Sequence, residues 1–410
     1  MGSIIAMLCF HHCSSFKLSA AVLASILTSC SHTPSELDPQ ELQSKIEDFS
    51  QQGGYRESGQ SQVKSERVNV SHAGDTWDIS ISTPDQPGSF PVVVYLPGLG
   101  ETVEAGQLWR QAWVQAGYAV ATVQSGRLSR ALAEIELGDQ KPADKDDDDP
   151  EQLARARALR ESDLHYLGRQ YFSDAALKLR LADLLWVLNE IKHRAETRQP
   201  AFANLDFSRL ILAGYDIGAQ AASTLSGEGD LRIAGLQAIT PKALILLSPS
   251  VDLSAGNNPG HFKNLTMPVL VITGKADQDP YGISSPRVRT AVWEYAPAGE
   301  KYLLFLNSGR HKLLSGSIQR PGRKTVESEQ LSAEENQAPE PGFFGGGENR
   351  REQDSHFDRT AGSDYKQLAT IQNVSVAFLD AVVNSRQSAK HWLKNNAPQW
   401  VGRIGSFKAK

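Results

Sequence analysis

The sequence is short of sulfur, with three cysteines and three methionines in 410 residues. All three cysteines, Cys9, Cys13 and Cys30, lie within the first thirty positions, so from Ser31 onward no thiol remains for a disulfide or a cysteine metal site. There is no basic stripe: 42 Lys and Arg stand against 47 Asp and Glu, a net charge of -5, which argues against a nucleic-acid partner. No phosphate loop, nicotinamide fingerprint or histidine-rich metal motif is present, so no cofactor or metal is implied. No internal repeat is visible, and no apolar run reaches the length of a bilayer span. With 40% hydrophobic and 22% charged residues, the chain has the composition of an ordinary soluble domain.

The first thirty residues differ from the rest. Lys17 precedes an apolar run from Leu18 to Leu27, too short to cross a membrane and arranged as in a secretory signal. A start at Met7 would shorten the charged region. The run ends in Leu27-Thr28-Ser29-Cys30, which is similar to the bacterial lipobox. That resemblance implies a signal peptide over residues 1–29, lipidation of Cys30 and a stable membrane anchor through the acyl chains. Ser31, in place of an aspartate, favours the outer membrane within the bacterial cell envelope. A plain secretory signal or an apolar tether is the alternative. Residues 30–65 are polar, rich in Gln, Ser and Glu, and read as a flexible or partly helical tether.

From residue 66 to 410 the pattern is that of one α/β domain. Val68–Val70 and Thr76–Ile81 alternate like half-buried antiparallel strands, whereas Phe90–Leu96, Gly117–Val123, Leu210–Ala213, Ala243–Pro249, Pro268–Gly274 and Lys301–Leu306 are largely apolar runs of the kind covered on both faces. Helical periodicity fills the intervals, most strongly over Ala175–Ile191, and over Leu153–Tyr171, which precedes the central turn and is placed to cover it. A mostly parallel central sheet with helices on both faces follows. Two stretches leave the pattern and read as cap or loop insertions, about 124–174 and 312–366. The first holds the charge run Lys141–Pro150, which lacks the glycine and glutamate spacing of a calcium loop and reads as a solvated segment.

The centre of the sequence is Leu210-Ile211-Leu212-Ala213-Gly214-Tyr215-Asp216-Ile217-Gly218-Ala219. An apolar strand runs into Gly-x-Asp-x-Gly and then into small helix formers, a strand, sharp turn and helix whose tip projects above the sheet. This resembles the nucleophile elbow of the α/β-hydrolase superfamily, with aspartate where serine is usual. Element order from about Pro91 to Leu393, the helix Leu181–Ile191 and the Leu205-Asp206-Phe207-Ser208-Arg209 approach are similar to the dienelactone-hydrolase and platelet-activating-factor-acetylhydrolase-like branch. The resemblance implies an α/β-hydrolase fold, a metal-free hydrolase, and a nucleophile, acid and histidine in that chain order. Asp216, Asp277 and His311 meet that order, each just past a strand, at the edge where open α/β sheets bind ligands. Asp279 is the rival acid and His356 the rival histidine. The loop Pro97-Gly98-Leu99-Gly100-Glu101 matches the glycines of the superfamily's oxyanion loop, so the oxyanion amides fall to Leu99 and Ile217.

Aspartate at the elbow leaves three readings. Asp216 is a nucleophile toward a small epoxide or C–halogen substrate, as in the aspartate branches of the superfamily. Alternatively, ester hydrolysis proceeds through a water activated by His311. In the third reading the elbow is silent and the lipoprotein is an envelope binding module. Against the first stands Ile217, since the aspartate branches usually carry tryptophan there. Retention of Asp277 and His311 favours hydrolysis, because neither is needed to hold a sheet together. The expectation is that the Asp216 carboxyl lies within a few ångströms of the His311 ring, whose other nitrogen faces Asp277 or Asp279.

Overall fold

A computed structural model describes residues 38–55, 61–133, 135, 150–231, 234, 235, 239–251, 258–317 and 364–410. Residues 1–29, read from the sequence as a signal peptide, together with Cys30, the run 141–149 and His356, lie outside the described residues.

Nine strands form one sheet: β1 (Val63–His72), β2 (Asp75–Pro84), β3 (Phe90–Leu96), β4 (Ala119–Ser125), β5 (Leu205–Tyr215), β6 (Ala243–Leu247), β7 (Val269–Ala276), β8 (Lys301–Arg310) and β9 (Gly405–Ala409). Their order is β1-β2-β4-β3-β5-β6-β7-β8-β9. The six from β4 to β8 are mutually parallel, while β1, β2 and β9 run antiparallel at the two edges.

The continuous apolar runs follow from this geometry, because a strand covered on both faces has no side to leave polar. Along β3, Val92, Val94 and Leu96 enter one core, and Val93 and Tyr95 enter the other. The first core is closed by α4 (Asp174–Glu196), through Leu181, Leu184 and Leu188, and by α5 (Ile217–Leu225). The second is closed by α2 (Gln107–Gln115), through Trp109 and Trp113, and by α6 (Asp364–Val382), through Val374 and Phe378. A third, smaller cluster sits at the C-terminal edge of the sheet. There Leu164 of α3 (Pro150–Tyr171) and Phe172 pack with Leu99, Leu128, Ile217 and Tyr281. The helix expected to cover the elbow therefore does so.

The stretch read as a tether contains a packed element. Within it, α1 (Pro39–Ser50) places Leu42, Ile46 and Phe49 on one face, and Ile46 is buried in the second core. Spacing of four and three residues makes these scattered apolar residues a helical stripe, and a buried isoleucine stabilises by about 1.5–3 kcal/mol. Ser50 then bonds Asn373, and Tyr55 bonds Asp380, both from α6. The proposed insertion around 312–366 is likewise narrower at its ends, since residues 311–317 and 364 onward belong to the fold. Among the described residues no helix is long and apolar enough to cross a membrane.

Candidate active site

β5 ends in a turn that only small neighbours permit. Asp216 has φ 53° and ψ -117°, a strained left-handed conformation for a residue with a side chain. A Cβ on Gly214 would lie 2.4 Å from the Gly218 carbonyl carbon, and one on Gly218 would lie 2.0 Å from the Leu96 carbonyl oxygen. Both glycines are thus fixed by backbone contact, and the elbow is held directly under the loop that follows β3. The Asp216 amide donates to the Leu247 carbonyl. Its carboxylate is buried, and Oδ1 accepts from the Ser250 hydroxyl at 2.9 Å.

Asp277 and His311 leave the ends of β7 and β8 and meet. Nδ1 of His311 lies 2.9 Å from Asp277 Oδ1. Ser248, at the end of β6, donates to Asp277 Oδ1 at 2.8 Å and lies 2.8 Å from His311 Nδ1. Thr273 donates to the other carboxylate oxygen at 2.7 Å. Fully buried Arg289 donates Nη1–H to the Ser248 and Pro249 carbonyls and sets Nε 3.4 Å from Asp277 Oδ1. Burial alone would push Asp277 up, but Arg289, His311 and Thr273 outweigh it and hold the carboxyl below its ordinary range. For His311, burial pulls the imidazole down, while the bond and charge of Asp277 outweigh it and leave the ring above its ordinary value. With Asp277 ionised, Nδ1–H donates to it and Nε2 is left as the base.

The rival acid has a different task. Asp279 accepts the backbone amides of Tyr281, Ile283 and Ser284, so it staples its own loop rather than the histidine. Asp216 and His311 share the site, and each feels the other's charge, but among the described residues no direct hydrogen bond or ion pair joins them. Burial pushes Asp216 up, against the opposing pull of His311.

Of the oxyanion candidates, Ile217 opens α5, where helical N–H groups have no intrahelical partner, and buried Leu99 packs against it in the same cluster. Two residues on, Glu101 is a site residue that sequence reasoning did not assign. Its Oε2 accepts the Gly98 amide at 2.8 Å and its Oε1 the Ser317 hydroxyl at 3.1 Å. Burial pushes this carboxyl up to about 7, with the neighbouring charge of Asp216 adding to the rise. Ser248, Ser250 and Arg289 were also missed. The serines had a positional signal, since they follow a buried strand at the active edge; Arg289 had none.

Among the described residues, no cluster of His, Asp and Glu could hold a metal ion. No protein-family model and no curated protein matches the chain.

Proposed function

We propose that the chain is an α/β-hydrolase-fold hydrolase, acting on a small ester, epoxide or C–halogen substrate through Asp216, His311 and Asp277. The observation that carries this reading is the meeting at one sheet edge of a strained Asp216 and an Asp277-oriented His311 from three different strands. The strand order, with six parallel strands and the elbow on β5, supports the superfamily assignment. An anchor on lipidated Cys30 would hold the domain at the bacterial envelope.

Glu101 favours the epoxide within this range, because a carboxyl still protonated near neutrality can protonate a leaving oxygen, which a leaving halide does not need. Asp216 attacks an epoxide carbon, the carbon–oxygen bond breaks, and the oxygen takes the Glu101 proton. Water then gives a proton to His311 Nε2 while its oxygen adds to the Asp216 ester carbonyl, and the amides of Leu99 and Ile217 receive the oxyanion. Collapse expels the alkoxide, which takes the imidazolium proton and leaves as the diol. The proton now on Asp216 returns to Glu101, so the two carboxyls share one proton at the start and end of the cycle.

The test is hydrolysis of a styrene-type epoxide, a haloalkane and short activated esters by the wild type, Asp216→Ser, Asp216→Ala and His311→Ala. Turnover of epoxide or haloalkane should vanish in all three variants, and His311→Ala should accumulate a mass adduct on Asp216. An inert wild type with esterase activity appearing only in Asp216→Ser would instead make the domain a silent scaffold used for binding.

A further inference from the structure

The catalytic steps above give Arg289 no task, yet it is a full charge sealed inside the site. Its side chain is fully buried, a place an arginine occupies only when its donors are met. Nη1–H donates to the Ser248 and Pro249 carbonyls at 2.8 and 3.1 Å, and Nε–H reaches the Asp277 carbonyl at 3.3 Å. Ser248 supplies the first of these from a strained left-handed backbone, φ 48°, and such strain persists only where the surroundings fix it. Backbone acceptors beyond the ends of two strands therefore hold the guanidinium in one place.

Nη2 of this fixed group lies 3.4 Å from His311 Nδ1. Because Nδ1–H donates to Asp277 at 2.9 Å, an N–H faces an N–H there and the two cannot bond. What remains between them is charge. Arginine stays protonated in proteins, so a protonated ring meets a like charge at close range in a buried site, where screening is weak. The other charged groups facing the ring pull the opposite way: Asp277 from the end of β7, Asp216 from the elbow and Glu101 from the loop after β3. The charge of Arg180, on α4, acts on Asp216. In the cycle described above, Asp277 stays ionised while Asp216 and Glu101 share one proton, so two negative charges face the ring throughout. Without an opposing cation the ring would keep its proton and Nε2 would be no base.

We propose that Arg289 is a positioning residue for His311: its fixed charge keeps the ring's neutral-state proton on the Asp277 side and makes the protonated ring a readier donor, so that Nε2 is free to take a proton from water and return it to the alkoxide. The proposal rests on the reading of His311 as the base.

The test is the titration of His311 in the full chain, followed by the ring nitrogen shifts of histidine-labelled protein and assigned by the signal lost in His311→Gln. The neutral wild-type ring should carry its proton on Nδ1. Arg289→Met should raise the titration midpoint by about one pH unit or more, and Arg289→Lys, which keeps the charge, should move it by less than half as much. If Arg289→Met fails to fold, Arg289→Gln, which can still donate to the Ser248 carbonyl, makes the same comparison. Where the wild type turns over epoxide, the acidic limb of its pH–rate profile should move to higher pH in the neutral variant by the same amount as the midpoint. A midpoint unmoved in the neutral variant, an equal shift in Arg289→Lys, a neutral ring protonated on Nε2, or a limb that stays in place would overturn the proposal. The titration needs no substrate, so a wild type inert on every substrate that still shows the shift would count against the hydrolase reading and leave the effect of Arg289 on the ring standing.

Discussion

Replacing Glu101 by glutamine should stabilise the protein at alkaline pH and leave it nearly unchanged in acid. The amide oxygen can accept from the Gly98 amide and the amide nitrogen can donate to the Ser317 hydroxyl, so both hydrogen bonds of the carboxylate have a replacement. Only the ionisation is lost. In the folded chain the carboxyl is raised from 4.5 to about 7, so the folded state holds its proton where the unfolded chain has released it. Below about pH 4.5 both states are protonated and burial carries no charge penalty. Between 4.5 and 7 stability falls as pH rises, and above 7 the full penalty is present. A rise of about 2.5 units at 1.36 kcal/mol each sets a ceiling of about 3 kcal/mol, and the partial exposure of Glu101 lowers the expected gain to about 1–3 kcal/mol. Urea unfolding of wild type and Glu101→Gln at pH 5, 6, 7 and 8 reads the difference directly, because the other titrating groups are common to both. A difference that stays flat with pH, or a variant less stable than wild type at pH 8, would refute the reasoning.

Gly218→Ala should cost more than about 3 kcal/mol or abolish soluble expression, as the new methyl would meet the Leu96 and Pro97 carbonyl oxygens, backbone atoms that cannot step aside; a thermal melt by circular dichroism checks this. Asp380→Ala should cost about 3–5 kcal/mol by removing the shared acceptor of Tyr55, Tyr118 and Asn384, with Asp380→Asn costing less; denaturant midpoints separate the two.

The sheet was legible in the sequence because its central strands are buried on both faces and so read as unbroken apolar runs, as in Val92–Leu96 and Ala243–Leu247. The elbow was legible because a left-handed Asp216 pressed against backbone demands glycine on both sides. The packing of helix α1 was not, for although the stretch read as partly helical, three apolar residues in it acquire meaning only when α6 is there to receive them. Strand β9 was missed for a similar reason: Gly405–Ala409 buries only Phe407, which stacks on Tyr302 at 5.8 Å, and the strand owes its conformation to its pairing with β8. Within the site, Asp216, Asp277 and His311 follow strands in a recognisable order. Glu101, Ser250 and Arg289 are ordinary surface residue types whose burial arises only when five strand ends converge.

The bond between Tyr55 and Asp380 joins residues 325 positions apart, and Trp392 reaches back to the Gly53 carbonyl across 339. On a ribosome adding roughly 5–20 residues per second, some 15 to 65 s separate the synthesis of the two ends of the first contact. Throughout that interval α1 has emerged without the helix that buries Ile46. The outermost strand β9 closes one sheet edge, so the sheet cannot be completed until residues 405–409 have been made. A chain cut short after α6 would retain every residue of the candidate catalytic site and still leave Trp392 and Trp400 missing from the packing around Phe49 and Tyr55.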